Sequence, residues 1–294
     1  MKRGLTILLI ATMLAVSAFC FIGCKDNVEI PAGVELSIMS FNIRQDTSFD
    51  VDEKDWEFRK EYVVNHIKEQ APAILGMQEV QKNQYEYISE SLDNYETIWY
   101  SRATNESQEG LAIAYDKDVF ELVSEDMFWL SETPDVESKG FGASYLRICV
   151  HAILKEKSSQ KEISVYCAHL EVRGSKTQVA EIELIKQRME ENDKDRVCIV
   201  LGDFNSTADS KAFEALSQTM KSTQDTAIWT EYGISYQDFG GKLVTYDKTI
   251  DFIFVSPSVF VKRFDILQET KNIDGKTIYY SDHYAIKSEI ILVG

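Results

Sequence analysis

Short apolar runs separated by polar turns organise this chain, and most of the runs carry the two-residue period of strands. Val34 to Asn42 alternates Glu35, Ser37 and Met39 against Leu36, Ile38 and Ser40. Further predicted strands are Ala73 to Met77, Tyr95 to Tyr100, Leu111 to Tyr115, Phe120 to Leu130, Tyr145 to Leu154, Ile163 to Leu170 and Val197 to Asp203. Ile250 to Val255, Val259 to Ile266 and Ala285 to Val293 complete the set, with Leu243 to Tyr246 a candidate edge strand. The period lengthens to about 3.6 residues in two stretches. Trp56, Val63 and Ile67 share a stripe in Trp56 to Gln70, and Val179, Ile182, Ile185 and Met189 share one in Thr177 to Glu190. Asn83 to Leu92 is a shorter predicted helix. Another ends near Leu216, with Asp209 as its expected N-cap and Ser206 as the alternative start. Runs of consecutive strands mixed with strand–helix units predict an α/β domain with mixed sheets. No Pro-, Gly- or Ser-rich linker divides residues 34–294, which predicts one domain there.

The first 24 residues follow a different pattern. Lys2 and Arg3 precede an apolar run from Leu5 to Ile22 that closes on Gly23-Cys24. A basic start, an apolar stretch and a small residue before a cut describe an export leader, with a bare transmembrane anchor as the alternative. The Ile22-Gly23-Cys24 ending resembles a bacterial lipobox, although Phe21 is atypical at its first position. That resemblance implies cleavage before Cys24 and lipidation of the cysteine. The product is then an exported lipoprotein on a membrane, expected at the periplasmic or surface face of an outer membrane. Residues 25–33 become a tether.

Composition narrows the function. The chain has 294 residues, 44% hydrophobic and 27% charged, enough to bury a sizeable core. Its formal net charge of −17 becomes about −19 once the two cations of the leader are gone. Tight general nucleic-acid binding draws on clusters of Lys and Arg that neutralise phosphates. No such cluster is present, which argues against that class while leaving room for a nuclease with a few cleft cations. Beyond the leader, Cys149, Cys167 and Cys198 each sit in an apolar strand-like run. Their odd number gives no disulfide framework and their spacing no metal set, so they read as small buried hydrophobes.

Against this background, polar side chains recur beside the apolar strands. Asn42, Glu79, His169, the pair Asp203 and Asn205, and Asp282-His283 lie next to strand ends, and Asp251 stands near the start of its own strand. Each alone has a plain structural reading. Asn42, Asp203 and Asn205 suit turns, Glu79 suits a helix N-terminus, His169 a satisfied core position, His283 a loop, and Asp251 a solvated strand. His66, on an amphipathic helix, and His151, inside a strand with no polar companion, are read as structural. Ligands gather outside the carboxyl ends of strands in open α/β sheets, so the ordered set weighs more than its members.

Six stretches carry a family resemblance: Ser40-Phe41-Asn42-Ile43-Arg44, Gly76-Met77-Gln78-Glu79-Val80, His169-Leu170-Glu171, Gly202-Asp203-Phe204-Asn205, Ile250-Asp251-Phe252-Ile253-Phe254-Val255 and Ser281-Asp282-His283. In this order, over residues 40–283, they resemble the endonuclease/exonuclease/phosphatase superfamily, the deoxyribonuclease I-like metal-dependent phosphoesterases. The resemblance implies a four-layer α/β/β/α sandwich of two packed, mostly antiparallel sheets with outer helices. It implies water activated by Asp203 and Mg2+ held by Glu79, with Mn2+ a substitute and Asn42 and Asp282 as further ligand candidates. It gives Asn42, Asn205, His169 and His283 to phosphoryl oxygens, with His169 also protonating the leaving group. Asp251 matches the partner of His283, and Glu109 the acid beside His169. These carboxylates are expected to orient both histidines and favour their charged forms. Arg147 is either a phosphate clamp facing the cleft or a surface salt-bridge arginine. Cys167-Ala168 stands where many members have Asn-Thr, and Ala73 where many have Asp. Ser235-Tyr236-Gln237 replaces a Thr-Phe-His of close bacterial members. The acidic charge and the anchor favour a small-molecule or lipid phosphoester as substrate. A nuclease acting on DNA or RNA is the alternative, and a catalytically silent binding lipoprotein the reading from another class. No protein partner is implied.

Overall fold

The computed structural model of the chain describes residues 22–24, 28–106, 108–241 and 247–293. Most of the leader and the candidate edge strand at 243–246 lie outside the described residues. In chain order the first elements are β1 Ile22–Cys24, β2 Gly33–Asn42, α1 Trp56–Gln70, β3 Ile74–Val80, α2 Lys82–Ser91, β4 Tyr95–Ser101, β5 Gly110–Asp116 and β6 Phe120–Trp129. Then follow β7 Ile148–Glu156, β8 Glu162–His169, α3 Ser175–Asn192, β9 Val197–Asp203, α4 Lys211–Ser217, β10 Lys221–Ser222, α5 Thr223–Thr226 and β11 Trp229–Glu231. The last are β12 Asp251–Val255, β13 Phe260–Leu267, β14 Lys271–Ile273, β15 Lys276–Ile278 and β16 Ala285–Val293. Among the described residues no helix is long and apolar enough to cross a membrane.

Two large sheets form, in the orders β1-β11-β13-β16-β2-β3-β5-β4 and β10-β12-β9-β8-β7-β6, beside the β14–β15 hairpin. Neighbours are antiparallel except β2/β3, β8/β9 and β11/β13. Strand alternation explains the layering. One face of each sheet carries Ile38, Ile113, Val150, Val165, Leu201 and Ile253, which meet in a central core. The other face of the first sheet packs Met39, Phe41 and Met77 against Trp56, Val63 and Ile67 of α1 and Ile88 of α2. The other face of the second packs Tyr166, Val200, Phe252 and Phe254 against Ile182 and Ile185 of α3 and Phe213 and Leu216 of α4. Each such large apolar side chain gains roughly 1.5–3 kcal/mol on full burial. The result is the four-layer sandwich expected from the family resemblance. The sheets pack tightly at Gly76, where a Cβ would lie 1.9 Å from Leu201 Cδ1.

Local differences have local causes. The expected strand from Tyr145 starts only at Ile148, because the amides of Ser144 and Tyr145 bind the Glu171 carboxylate instead of a ladder partner. Helix α4 is capped by Ser210, whose hydroxyl accepts the Phe213 amide, and not by Asp209 or Ser206. The Asp209 side chain is turned to Thr207 and Lys248. The short elements from Lys221 to Glu231 and the β14–β15 hairpin carry too few apolar positions to show a period.

Candidate active site

The second sheet delivers three polar groups in one row. In register, Asp203 faces His169 on the parallel strand β8 and Asp251 on the antiparallel strand β12. Gly202 makes the row possible. Its φ is +146°, and a Cβ there would lie 1.8 Å from the Ala168 carbonyl oxygen. After Asp203 the chain turns at Asn205, in the left-handed region at φ 49°, which Asn tolerates better than most residues. The Asn205 amide donates to Asp203 Oδ1 at 2.8 Å, and its side-chain Nδ2 donates to the Leu170 carbonyl at 2.9 Å.

The first sheet delivers the opposing wall. Strand β2 ends at Asn42. Glu79 sits at an irregularity in the β3/β5 pairing with φ 60°, and such a bulge re-aims a side chain out of the strand's alternation. Left-handed backbone at a glutamate costs on the order of 1–3 kcal/mol and persists where the surroundings enforce it. Here Glu79 Oε1 accepts Asn42 Nδ2 at 3.2 Å and Oε2 accepts the Gln45 amide at 3.2 Å. Asn42 Nδ2 also donates across the sheets to Asp203 Oδ2 at 3.0 Å, so one carboxamide ties both walls. Asp282 and His283 lie just before β16, with Asp282 Oδ2 3.7 Å from Arg44 Nη1.

The two histidines differ sharply. Asp251 Oδ2 lies 2.9 Å from His283 Nδ1. Burial alone would lower the His283 pKa, but Asp251, Asp203 and Asp282 override it and push it up to about 10. His169 is the reverse case. Its Nε2 is 3.5 Å from Asp203 Oδ2, yet burial, Arg147, His283 and Arg102 hold its pKa well below the ordinary histidine value. The expectation that both rings are charged therefore holds for His283 and fails for His169. Asp203 is pushed up to about 7 by burial and by Asp251, against the pull of His283 and the hydrogen bonds from Asn205 and Asn42. Asp282 is raised by burial and by Glu79.

Glu109 also departs from its expected place. Its Oε1 takes Arg102 Nη1 at 2.5 Å, and neither oxygen bonds to His169. The chain passes from Arg102 through a short loop back to Glu109, so a local partner captures the carboxylate. Arg147 is buried and lines the cleft, with Nε 3.8 Å from Glu171 Oε2, so the surface reading of this arginine falls. Tyr145, half exposed, lies 5.6 Å from both the Arg102 and Arg147 guanidinium carbons. Tyr236 meets the His283 ring edge-on at 5.1 Å. Arg44, Arg102, Tyr145 and Tyr236 line the cleft without having been singled out from sequence as site residues. Arginines before charged loops and tyrosines in turns give no signal until the loops close. His66 is structural as expected, its pKa pulled down to about 4 by burial. His151 does have a polar neighbour, Asp193 Oδ2 at 3.3 Å, and its ring stacks on Tyr166.

The walls enclose a cleft of about 380 Å3. Arg44 Nη1 stands 3.9 Å from Glu79 Oε2 and 3.7 Å from Asp282 Oδ2, so these two carboxylates flank a common space already suited to a cation. Hard oxygen donors of this kind fit a divalent metal such as Mg2+. Asp203, Asp251 and His283 also place ligand atoms within 4.8 Å of one another, all buried. In that cluster the His283–Asp251 hydrogen bond already uses one nitrogen and one oxygen, so the Glu79 and Asp282 side is the better cation seat.

A two-sheet sandwich with acids, histidines and arginines converging where the strands of both sheets end defines a phosphoester-hydrolysing enzyme of the deoxyribonuclease I-like fold. The chain belongs to the endonuclease/exonuclease/phosphatase family, whose sequence pattern matches residues 39–283. A solved protein of that family from Bacteroides thetaiotaomicron superposes with a TM-score of 0.81 at 28% identity, covering 88% of this chain and 98% of the other. A mannosyl-6-phosphatase from Bacteroides thetaiotaomicron superposes with a TM-score of 0.80 at 29% identity, over 87% and 99%. An uncharacterised protein of Acanthamoeba polyphaga mimivirus is 29% identical over 214 residues, 68% of this chain and 79% of that protein.

Proposed function

We propose that this chain is a Mg2+-dependent phosphatase of small phosphorylated molecules, with sugar phosphates as the leading substrates. The observation that carries the reading is the cleft itself. Glu79, Asp203 and Asp282 share a space of about 380 Å3 with Arg44, Arg102, Arg147, His169 and His283. Acids that seat a cation and activate water thus face cations that hold a dianionic phosphate. The likeness to a mannosyl-6-phosphatase over 87% of the chain supports the sugar phosphate.

Asp203 accepts the proton of the attacking water. A base pushed up to about 7 is stronger than an ordinary carboxylate and is about half ionised at neutral pH. Its Oδ1 is fixed by the Asn205 amide, leaving Oδ2 toward the cleft and Asn42. Asn42 Nδ2 has two hydrogens, and both are taken by Glu79 and Asp203. The protonated His283 Nε2, 3.4 Å from Asn42 Nδ2, is then free to donate to a phosphoryl oxygen. Preorganised donors of this kind stabilise charge that grows in the transition state. Neutral His169 donates or accepts one hydrogen bond at the phosphate, and Asn205 and Arg147 complete the cradle. Glu79 and Asp282 would hold a divalent ion, which would supply Lewis-acid neutralisation of the phosphate charge.

Export and lipidation at Cys24 belong to the same proposal and rest on the leader's pattern. Cleavage there removes Ile22 and Gly23, two of the three residues that pair with Trp229–Glu231 at the sheet edge. Loss of palmitate labelling in Cys24→Ala tests it. For the activity, purified protein with Mg2+ is assayed against mannose 6-phosphate, other sugar phosphates and plasmid DNA. Phosphate release that EDTA abolishes supports the reading. Rapid plasmid nicking with inert sugar phosphates replaces it by the nuclease.

A further inference from the structure

Arg59 is fully buried in α1, and no carboxylate lies within ion-pair distance of it among the described residues. A buried guanidinium is ordinarily matched by a carboxylate. This one is spent on backbone carbonyls. Nε donates to Lys54 O at 2.7 Å, Nη1 to Ile43 O at 3.0 Å and to Tyr280 O at 2.7 Å, and Nη2 to Arg44 O at 3.3 Å. Ile43 and Arg44 directly follow Asn42, and Tyr280 directly precedes Ser281-Asp282-His283. The Trp56 and Phe239 rings lie 5.6 and 5.4 Å from the guanidinium carbon. Phe239 belongs to a turn whose neighbours Gln237 and Asp238 both donate to the Asp282 carbonyl.

We infer that Arg59 is a positioning residue that sets the spacing between Asn42 and the Asp282–His283 pair by gripping the backbone on both sides. Three of its four hydrogen bonds, from one rigid fork, join two segments more than 200 residues apart in sequence. A lysine keeps the charge and loses the fork. The carboxylates of Asp282, Asp50 and Glu79 attract the guanidinium from a distance, which keeps it charged although burial pulls its pKa down to about 10. The inference rests on the assignment of His283 to the phosphoester site.

The test is a double-mutant cycle of R59K with H283Q, reading kcat per folded molecule. Misplacement by about 1 Å costs as much as ~100-fold. R59K is therefore expected to lower kcat by roughly 10–100-fold in the wild-type background and by less than about 3-fold in H283Q. Equal loss in both backgrounds, or no loss in either, overturns the inference. A wild-type rate in H283Q alone counts against the proposed function instead. Amide exchange then judges Arg59 by itself. Residues 43–45 and 281–284 are expected to exchange faster in R59K while β8 and β9 do not change, and unchanged exchange in both segments overturns the role. Should R59K not fold, F239A removes only a covering ring. The same segments are expected to loosen to a smaller degree, and no loosening again overturns it.

Discussion

His169 and His283 approach the same oxygen of Asp203, at 3.5 and 3.7 Å, from opposite sheets, and one ring is held neutral while the other is held protonated. The shared neighbour does not decide between them. His283 has Asp251 in contact and Asp282 nearby, whereas His169 has Arg147 and Arg102. A phosphate site thus places one committed donor on the acid-rich wall and one neutral ring on the arginine wall. The protonation state of each ring is set by the groups behind it.

The harshest test of this contrast removes the shared oxygen. Asp203→Asn is expected to cost about four orders of magnitude in kcat, since base and histidine anchor go together; general-base loss alone accounts for roughly 100- to 10,000-fold. Initial rates on a sugar phosphate measure it. Next comes Asp251→Asn, expected to lower kcat by roughly 100-fold, in the range of a lost transition-state donor. Its pH profile is more informative than its rate. Activity needs Asp203 ionised and His283 protonated, so it rises through about pH 7 and falls through about pH 10. Asp251 raises both groups, so its removal moves both limbs to lower pH. A profile that keeps its alkaline limb near 10 breaks the assignment of that limb to His283.

His169→Gln is expected to be milder, about 10-fold in kcat, because a neutral amide replaces a neutral ring. Its pH profile should match wild type; a lost limb would show that His169 carries the titrating proton. The smallest effect belongs to Arg147→Met in an NMR titration. Losing that cation raises the His169 pKa toward its ordinary value, with KM for the phosphate rising several-fold as one charge-assisted contact goes. A His169 signal that does not move means that burial alone keeps the ring neutral.

Much of this was legible in the residues. The strand ends announced Asn42, Glu79, His169, Asp203 and His283, because polar groups after buried apolar runs break an alternation that the core enforces. Mixed sheets with outer helices followed from the strand runs and two amphipathic helices, whereas the four layers came only from the family resemblance. Protonation states were not legible, since Arg147 and Arg102 reach His169 only through a loop that folds back on Glu171 and Glu109. The Glu109 partner was misread for the same reason. Arg59 left a trace that is plain in hindsight. It falls three residues after Trp56 and four before Val63, on the apolar stripe of α1 and not on its charged face. A charge on such a stripe is a sign of polar partners inside, though only the folded chain shows that they are carbonyls.

Gly76 gives the sandwich a mechanical meaning. The two sheets act as the jaws of a vise, and one tight contact between them lies three residues before Glu79 and, through Leu201, two before Asp203. The missing methyl at Gly76 leaves room for the Leu201 side chain. An alanine there is a wedge, prising the cation seat from the water-activating base without touching either. Jaw spacing is then expected to act as a catalytic variable, and warming that swells the interior is expected to silence the enzyme before it melts.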